Sequence, residues 1–252
     1  MQFGLVGSEM CIRDSTKSDT PTTVRFVEGE YRANRLKSMY PDNNFVDVGF
    51  AKLDPIFNGN APKFDLESLG LDSFKKTLLY APTFYPSSIE RFPKKFPEDF
   101  KNFNIMIKPH YFSLSQEKYK KQRQLLEYWS LYDNVYLAKV TDYSIVPFLA
   151  TADLLMSDAS SVIIEFAALD KPVIWCNFLQ LRWNYKGIFA YRFKNRMDKD
   201  YDEYSKIAVQ SDSYKELKHN IKEQLLNPTS LSETRLQYAN KLAGLLDGKS
   251  SQ

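Results

Sequence analysis

The chain has 252 residues, enough for one large or two small domains. Hydrophobic residues make up 43% and charged residues 26%, an ordinary globular balance, and no run approaches the roughly 18 apolar residues of a membrane span. The net charge of +3 is too small to imply a nucleic-acid partner, and two cysteines, Cys11 and Cys176, make neither a disulfide framework nor a metal-ligand spacing.

Leu5 to Ser15 reads LVGSEMCIRDS, which looks like the in-frame translation of a sequencing adapter. Residues 1–19 are therefore expected to be an adapter-derived or disordered tail, and the chain a truncated C-terminal portion of a longer protein. Thr22 to Val27 is a short β-branched run, Gly29 to Tyr40 has helix composition, and Pro41 to Asn44 makes a turn. Phe45 to Val48 reads as a strand and Ala51 to Phe57 as a short helix or turn, after which residues 58–74 read as linker. Lys76 to Tyr80 is an apolar strand running into Ala81-Pro82-Thr83. A short helix within Pro93 to Phe103 follows, then a strand at Ile105 to Ile107 that stops at Lys108-Pro109-His110. Gln116 to Tyr132 reads as one long helix, Val135 to Ala138 as a strand, and Ser144 to Ala152 as a helix. Asp153 to Met156, Pro172 to Trp175 and Ile207 to Val209 are further strands, with a helix over Ser160 to Leu169 between the first two. Ser213 to Leu226 and Leu231 to Leu246 close the chain as helices. Strands alternating with helices indicate βαβ units, hence an α/β fold with a Rossmann-like parallel sheet of about six strands and flanking helices. Cys176, after a buried strand, reads as a small core residue.

Open α/β sheets bind ligands at the carboxyl ends of their strands. Two such ends carry suitable chemistry. After Asp153 to Met156 comes Ser157-Asp158-Ala159-Ser160-Ser161 and then a helix. Small side chains let a phosphate approach the backbone, and hydroxyls beside free helix N–H groups suit an anion. Ser161 and Glu165 are four apart and share a helix face, with Val162, Ile163, Phe166 and Ala167 opposite as the core stripe. One turn rises about 5.4 Å, close to the spacing between a nucleotide's phosphate and its ribose hydroxyls. The competing reading is plain N-capping by Asp158 or Ser160, with Glu165 solvated. At the other end, Lys108 and His110 bring a cation and an imidazole to the same edge; a loop histidine without a role is the alternative. His219 lies opposite the stripe Tyr214, Leu217, Ile221 and Leu225 and reads as solvated. Lys118, Lys120, Lys121 and Arg123, and Arg192, Lys194 and Arg196, form basic runs of the kind that are usually solvated faces.

YAPTF (Tyr80 to Phe84), IKPH (Ile107 to His110) and ATADLLMSDASSVIIEFAALDKPVI (Ala150 to Ile174), in this order, resemble the C-terminal domain of CDP-glycerol glycerophosphotransferases, the polymerases and primases of teichoic acid synthesis. Val46 to Phe57 (VDVGFAKLDPIF) resembles the family's segment joining its two GT-B domains, and the stretch from Tyr185 its later aromatic segment. The resemblance implies the C-terminal half of a GT-B architecture. Residues 20–74 would end the N-terminal domain and form the linker, 75–226 the nucleotide-binding domain, and 227–252 a C-terminal helix and tail. It implies transfer of a polyol phosphate from CDP-glycerol or a related CDP-polyol to a hydroxyl of a polyanionic cell-surface polymer or lipid-linked acceptor, at the inner face of the membrane. No cofactor or metal is implied. His110 would contact the pyrophosphate and help the cytidylate leave, with Lys108 beside it. Ser160 and Ser161 would bind phosphate, Glu165 would hold ribose, Asp158 would be a further substrate-binding residue, and Thr83 would line the cleft. The chain departs from the family at Tyr85-Pro86, where an arginine is common, and at Ala159, where a tyrosine is common. It lacks the His-Gly motif of the family's first domain. A UDP-sugar glycosyltransferase or epimerase, or a non-catalytic interaction module, are the competing readings.

Overall fold

The short apolar runs pair as a parallel sheet. The computed structural model describes residues 24–158, 160–181 and 205–250. β1 (Arg25–Val27), α1 (Glu30–Met39) and β2 (Phe45–Asp47) form a small parallel two-stranded unit. A 3-10 turn (Ala51–Leu53) and α2 (Asp54–Phe57) follow. The main sheet contains β3 (Thr77–Ala81), β4 (Asn104–Ile107), β5 (Val135–Leu137), β6 (Leu154–Ser157), β7 (Val173–Cys176) and β8 (Val209–Ser211). Its order is β5-β4-β3-β6-β7-β8, parallel throughout. That is the doubly wound order of a dinucleotide-binding sheet.

Residues alternate across this sheet, and both faces are covered. Leu79 and Ala81 of β3, Leu155 of β6, and Val173 and Trp175 of β7 enter one core with α6 (Val146–Thr151), α7 (Val162–Ala167) and the C-terminal helix α9 (Ser232–Ala243). Leu78, Tyr80, Leu154, Met156, Ile174 and Cys176 enter the other. This second core includes α3 (Phe96–Asp99), α5 (Lys120–Trp129) and α8 (Tyr214–Leu226). Double coverage explains why the strand sequences are nearly continuous apolar runs. Cys176 is buried, as its place after an apolar run suggested.

Several expected boundaries shift. The single long helix expected over Gln116 to Tyr132 is a 3-10 turn, Glu117–Tyr119, leading into the shorter α5. An unexpected helix, α4 (Tyr111–Ser115), precedes it, with His110 as its cap. The last strand lies at Val209–Ser211, two residues beyond its expected start at Ile207. Ile207 and Ala208 are buried before it, because an apolar run reports burial and not ladder pairing. Ser213 accepts from the Glu216 N–H and caps α8, whose Leu217 and Ile221 face the core while His219 is exposed.

Candidate functional site

The crossover in strand order falls between β3 and β6. The chain leaves β3 toward β4 and β5, then returns to β6 on the other side. The carboxyl ends of β3 and β6 are in register at Ala81 and Ser157, and Ser157 Oγ donates to the Ala81 carbonyl at 2.6 Å. On the other flank, Tyr80 is in register with Ile107. Lys108 N–H donates to Tyr80 O at 2.9 Å, and His110 N–H to Pro82 O at 3.3 Å. Main-chain pairing thus brings Thr83, Lys108, His110, Asp158, Ser160 and Ser161 to one edge of the sheet.

Asp158 is fully buried and organises the loop after β3. Its Oδ2 accepts from Thr83 N–H (3.1 Å), Ser87 Oγ (3.0 Å) and Ser88 N–H (3.2 Å), and Ser88 Oγ donates to Oδ1. Burial pushes the carboxyl up to about 6, against the opposing pull of these hydrogen bonds. Ser88 also meets the Tyr80 hydroxyl at 2.7 Å, extending the network under the sheet edge. Asp158 therefore braces Thr83 from beneath and is not presented to solvent.

His110 is held on two sides. Its Nδ1 accepts the Phe112 N–H at 3.1 Å, so the neutral ring carries its proton on Nε2. The ring lies 4.5 Å from Phe84 and 4.8 Å from Phe112, centroid to centroid. Phe84 is fixed in turn through its carbonyl, which accepts from Gln122 Nε2 at 3.0 Å. Buried Gln122 also accepts from Ser113 Oγ at 2.9 Å. Sequence inspection missed this second role of His110 as helix cap; a polar residue before an amphipathic stretch was the available signal.

At the start of α7, Ser161 makes no side-chain capping bond, and Ser160 Oγ lies 3.5 Å from Val162 N, the outer limit for one. Ser161 Oγ instead donates to Glu165 Oε1 at 3.4 Å. The helix face shared by Ser161 and Glu165 is present, but Glu165 is not solvated. Glu165 is only 1% exposed and pairs with Lys52, whose Nζ lies 3.0 Å from Oε1 and 2.9 Å from Oε2. Lys52 was not among the sequence-derived site residues, because 113 positions separate it from Glu165.

The basic helix face is engaged locally. Lys120 and Arg123 both pair with Glu117, at 3.6 and 3.1 Å, and Lys118 lies over the Tyr119 ring. Arg192, Lys194, Arg196, Ala159 and the aromatic stretch from Tyr185 lie outside the described residues. Among the described residues no group of three potential metal ligands occurs, and no helix is long and apolar enough to cross a membrane. A surface depression at the opposite edge, lined by Asp72, Lys75, Asn104 and Tyr132, lies by the amino end of β4, away from these groups.

Known proteins resemble the chain in this same frame. A teichoic acid glycerol-phosphate primase of Bacillus spizizenii is 30% identical over 155 residues, covering 60% of this chain and 39% of the primase. A second, from Bacillus subtilis, is 27% identical over 171 residues, with 64% of this chain and 42% of the primase covered. The chain thus spans about two fifths of the length of the curated relatives it matches. A variant of the wall teichoic acid polymerase TagF, soaked with CDPG, superposes with a TM-score of 0.63 at 16% identity over 95% of this chain and 58% of the polymerase. That likeness shows the fold: an α/β, Rossmann-like sheet of the kind forming the C-terminal half of a GT-B architecture. The family model for CDP-glycerol:poly(glycerophosphate) glycerophosphotransferase matches residues 13–251, and the chain belongs to this family.

Proposed function

We propose that this chain carries the donor-nucleotide half of a transferase that moves a polyol phosphate from a CDP-activated donor to an acceptor hydroxyl. The observation that carries the reading is the convergence of Thr83, Lys108, His110, Ser160 and Ser161 at the switch point of the sheet, supported by the family match. Residues 75–226 form the nucleotide-binding unit on this reading, and residues 20–74 the end of a preceding domain and its linker.

The acceptor oxygen forms a bond to the donor's β-phosphorus while the bond from that phosphorus to the bridging oxygen breaks, and CMP leaves with that oxygen. The reaction needs positioning and neutralisation of charge on the transferring phosphoryl group. Lys108 supplies a cation. His110 presents the Nε2 proton, held by the Phe112 N–H on the opposite nitrogen, to the departing phosphate. Ser160 and Ser161 donate to the phosphate, and Glu165 accepts from ribose. Asp158 acts through Thr83, holding its loop in place. A general base takes the acceptor proton. The acceptor is a polyanionic polymer or lipid-linked chain, met at the inner membrane surface.

Calorimetry of this chain with CMP and CDP-glycerol tests the reading. Weak binding of both is expected, with little turnover. His110→Ala should weaken CDP-glycerol at least tenfold and CMP less, since the histidine is placed at the pyrophosphate. Absence of heat with either ligand, or tighter binding of UDP-GlcNAc, would overturn it.

A further inference from the structure

Lys52 reaches the proposed donor site from outside the six-stranded sheet. It lies on the 3-10 turn Ala51–Leu53, before the linker, yet packing holds it against α7. Leu53 is fully buried and Phe50 nearly so, both in the core cluster that contains Val162, Ile163 and Phe166. Those two side chains anchor the turn, and Lys52 between them is delivered to Glu165. The resulting ion pair is uneven: the Lys52 side chain is 34% exposed and the Glu165 side chain 1%.

Lys52 Nζ lies 3.0 Å from Oε1 and 2.9 Å from Oε2, so the ammonium holds both carboxylate oxygens, and Ser161 Oγ also donates to Oε1. A carboxylate has lone pairs enough for several donors, so a ligand hydroxyl can add to these bonds without breaking them.

We infer that Lys52 is a positioning residue of the nucleotide site: its ammonium fixes the orientation of the buried Glu165 carboxylate that accepts a ribose hydroxyl, so that the turn before the linker sets the selectivity for ribonucleotides. This rests on the assignment of Glu165 to the ribose. Removing the ammonium would leave the buried carboxylate unpaired and free to reorient, and the distinction between ribose and deoxyribose would fade. Arginine could keep the clamp.

The test is calorimetry of the chain with CMP and 2′-deoxy-CMP, alongside thermal melting, for wild type, Lys52→Met and Lys52→Arg. The wild-type chain should prefer CMP by about tenfold or more, the loss expected when a buried hydrogen bond to a charged group is removed. Lys52→Met should reduce that preference to within about threefold, and Lys52→Arg should retain it. A wild-type chain that binds both nucleotides equally overturns the ribose assignment of Glu165 and the Lys52 inference with it. A discriminating wild type whose Lys52→Met variant discriminates equally overturns the Lys52 inference alone. If Lys52→Met does not fold, Lys52→Gln replaces it with the same expected loss, and equal discrimination by that variant is again the contrary result.

Discussion

At the residue scale, the buried carboxylate of Asp158 has the strongest measurable consequence. Its folded-state pKa of about 6 lies above the 3.8 of an ordinary aspartate, and burial is the main cause. The folded chain therefore holds more protons than the unfolded chain between about pH 4 and pH 6. This group's contribution to stability is full below that window and is lost as the pH rises through about 6, by about 3 kcal/mol in all. Urea unfolding at several pH values should show the fall in the wild-type chain. Asp158→Asn should flatten it while lowering stability at every pH, because its amide cannot accept from all the Thr83, Ser87 and Ser88 donors. An unchanged slope in the variant would assign the titration elsewhere. Sequence inspection picked out Asp158 by its place after a strand, but it could not tell a ligand-facing carboxylate from a loop anchor. The donors that settle its surroundings come from residues some 70 positions away.

Among the elements, the turn between α7 and β7 and the C-terminal helix α9 are joined by a buried cation. Arg235 is fully buried; its Nε donates to Asp170 Oδ1 at 3.0 Å and its Nη2 to the Pro228 carbonyl at 2.7 Å. Ser232 Oγ adds a 2.6 Å bond to Asp170 Oδ2. Asp170 itself has a φ of 52°, a left-handed conformation that aspartate tolerates better than most residues. Asp170→Ala should destabilise by about 3–5 kcal/mol, since it leaves a buried guanidinium uncompensated. Chemical denaturation measures this. A loss below about 1 kcal/mol would mean that the Pro228 carbonyl and the Asp170 main-chain carbonyl, which accepts from Nη2 at 3.2 Å, suffice for the cation. The helices themselves were largely legible: apolar spacing located α8, and Ser213 marked its start. The α4 helix was not, because five residues capped by a histidine carry too little periodicity to register.

Across the whole molecule, α9 returns to the small N-terminal unit. Gly29 and Gly244 meet there with φ of 79° and 72°, and a Cβ on Gly244 would lie 2.5 Å from Gly29 Cα. No side chain fits between two backbones that close. Gly244→Ala should therefore cost about 2 kcal/mol and lower the melting temperature by about 4–8 °C. Gly59→Ala is the control: the φ is also positive, at 78°, but nothing lies within 4 Å, so a smaller drop is expected. Equal drops would show that backbone strain alone matters and that the close approach does not.

The sequence by itself determined the class of fold and pointed to the sheet edge proposed for the site. Unbroken apolar strands require coverage on both faces, alternating helices require parallel crossovers, and ligands meet such sheets at strand carboxyl ends. The three motifs in order also carried the family. Tertiary structure alone decided which polar groups face each other: Lys52 on Glu165, Phe112 N–H on His110, and the serine-rich loop on Asp158. Local patterning records whether a residue is buried, because burial follows its own side chain and its neighbours' period. Which partner it finds is set by the pairing of β3 with both β4 and β6 and by the packing of a distant turn on α7, contacts to which the local pattern is blind.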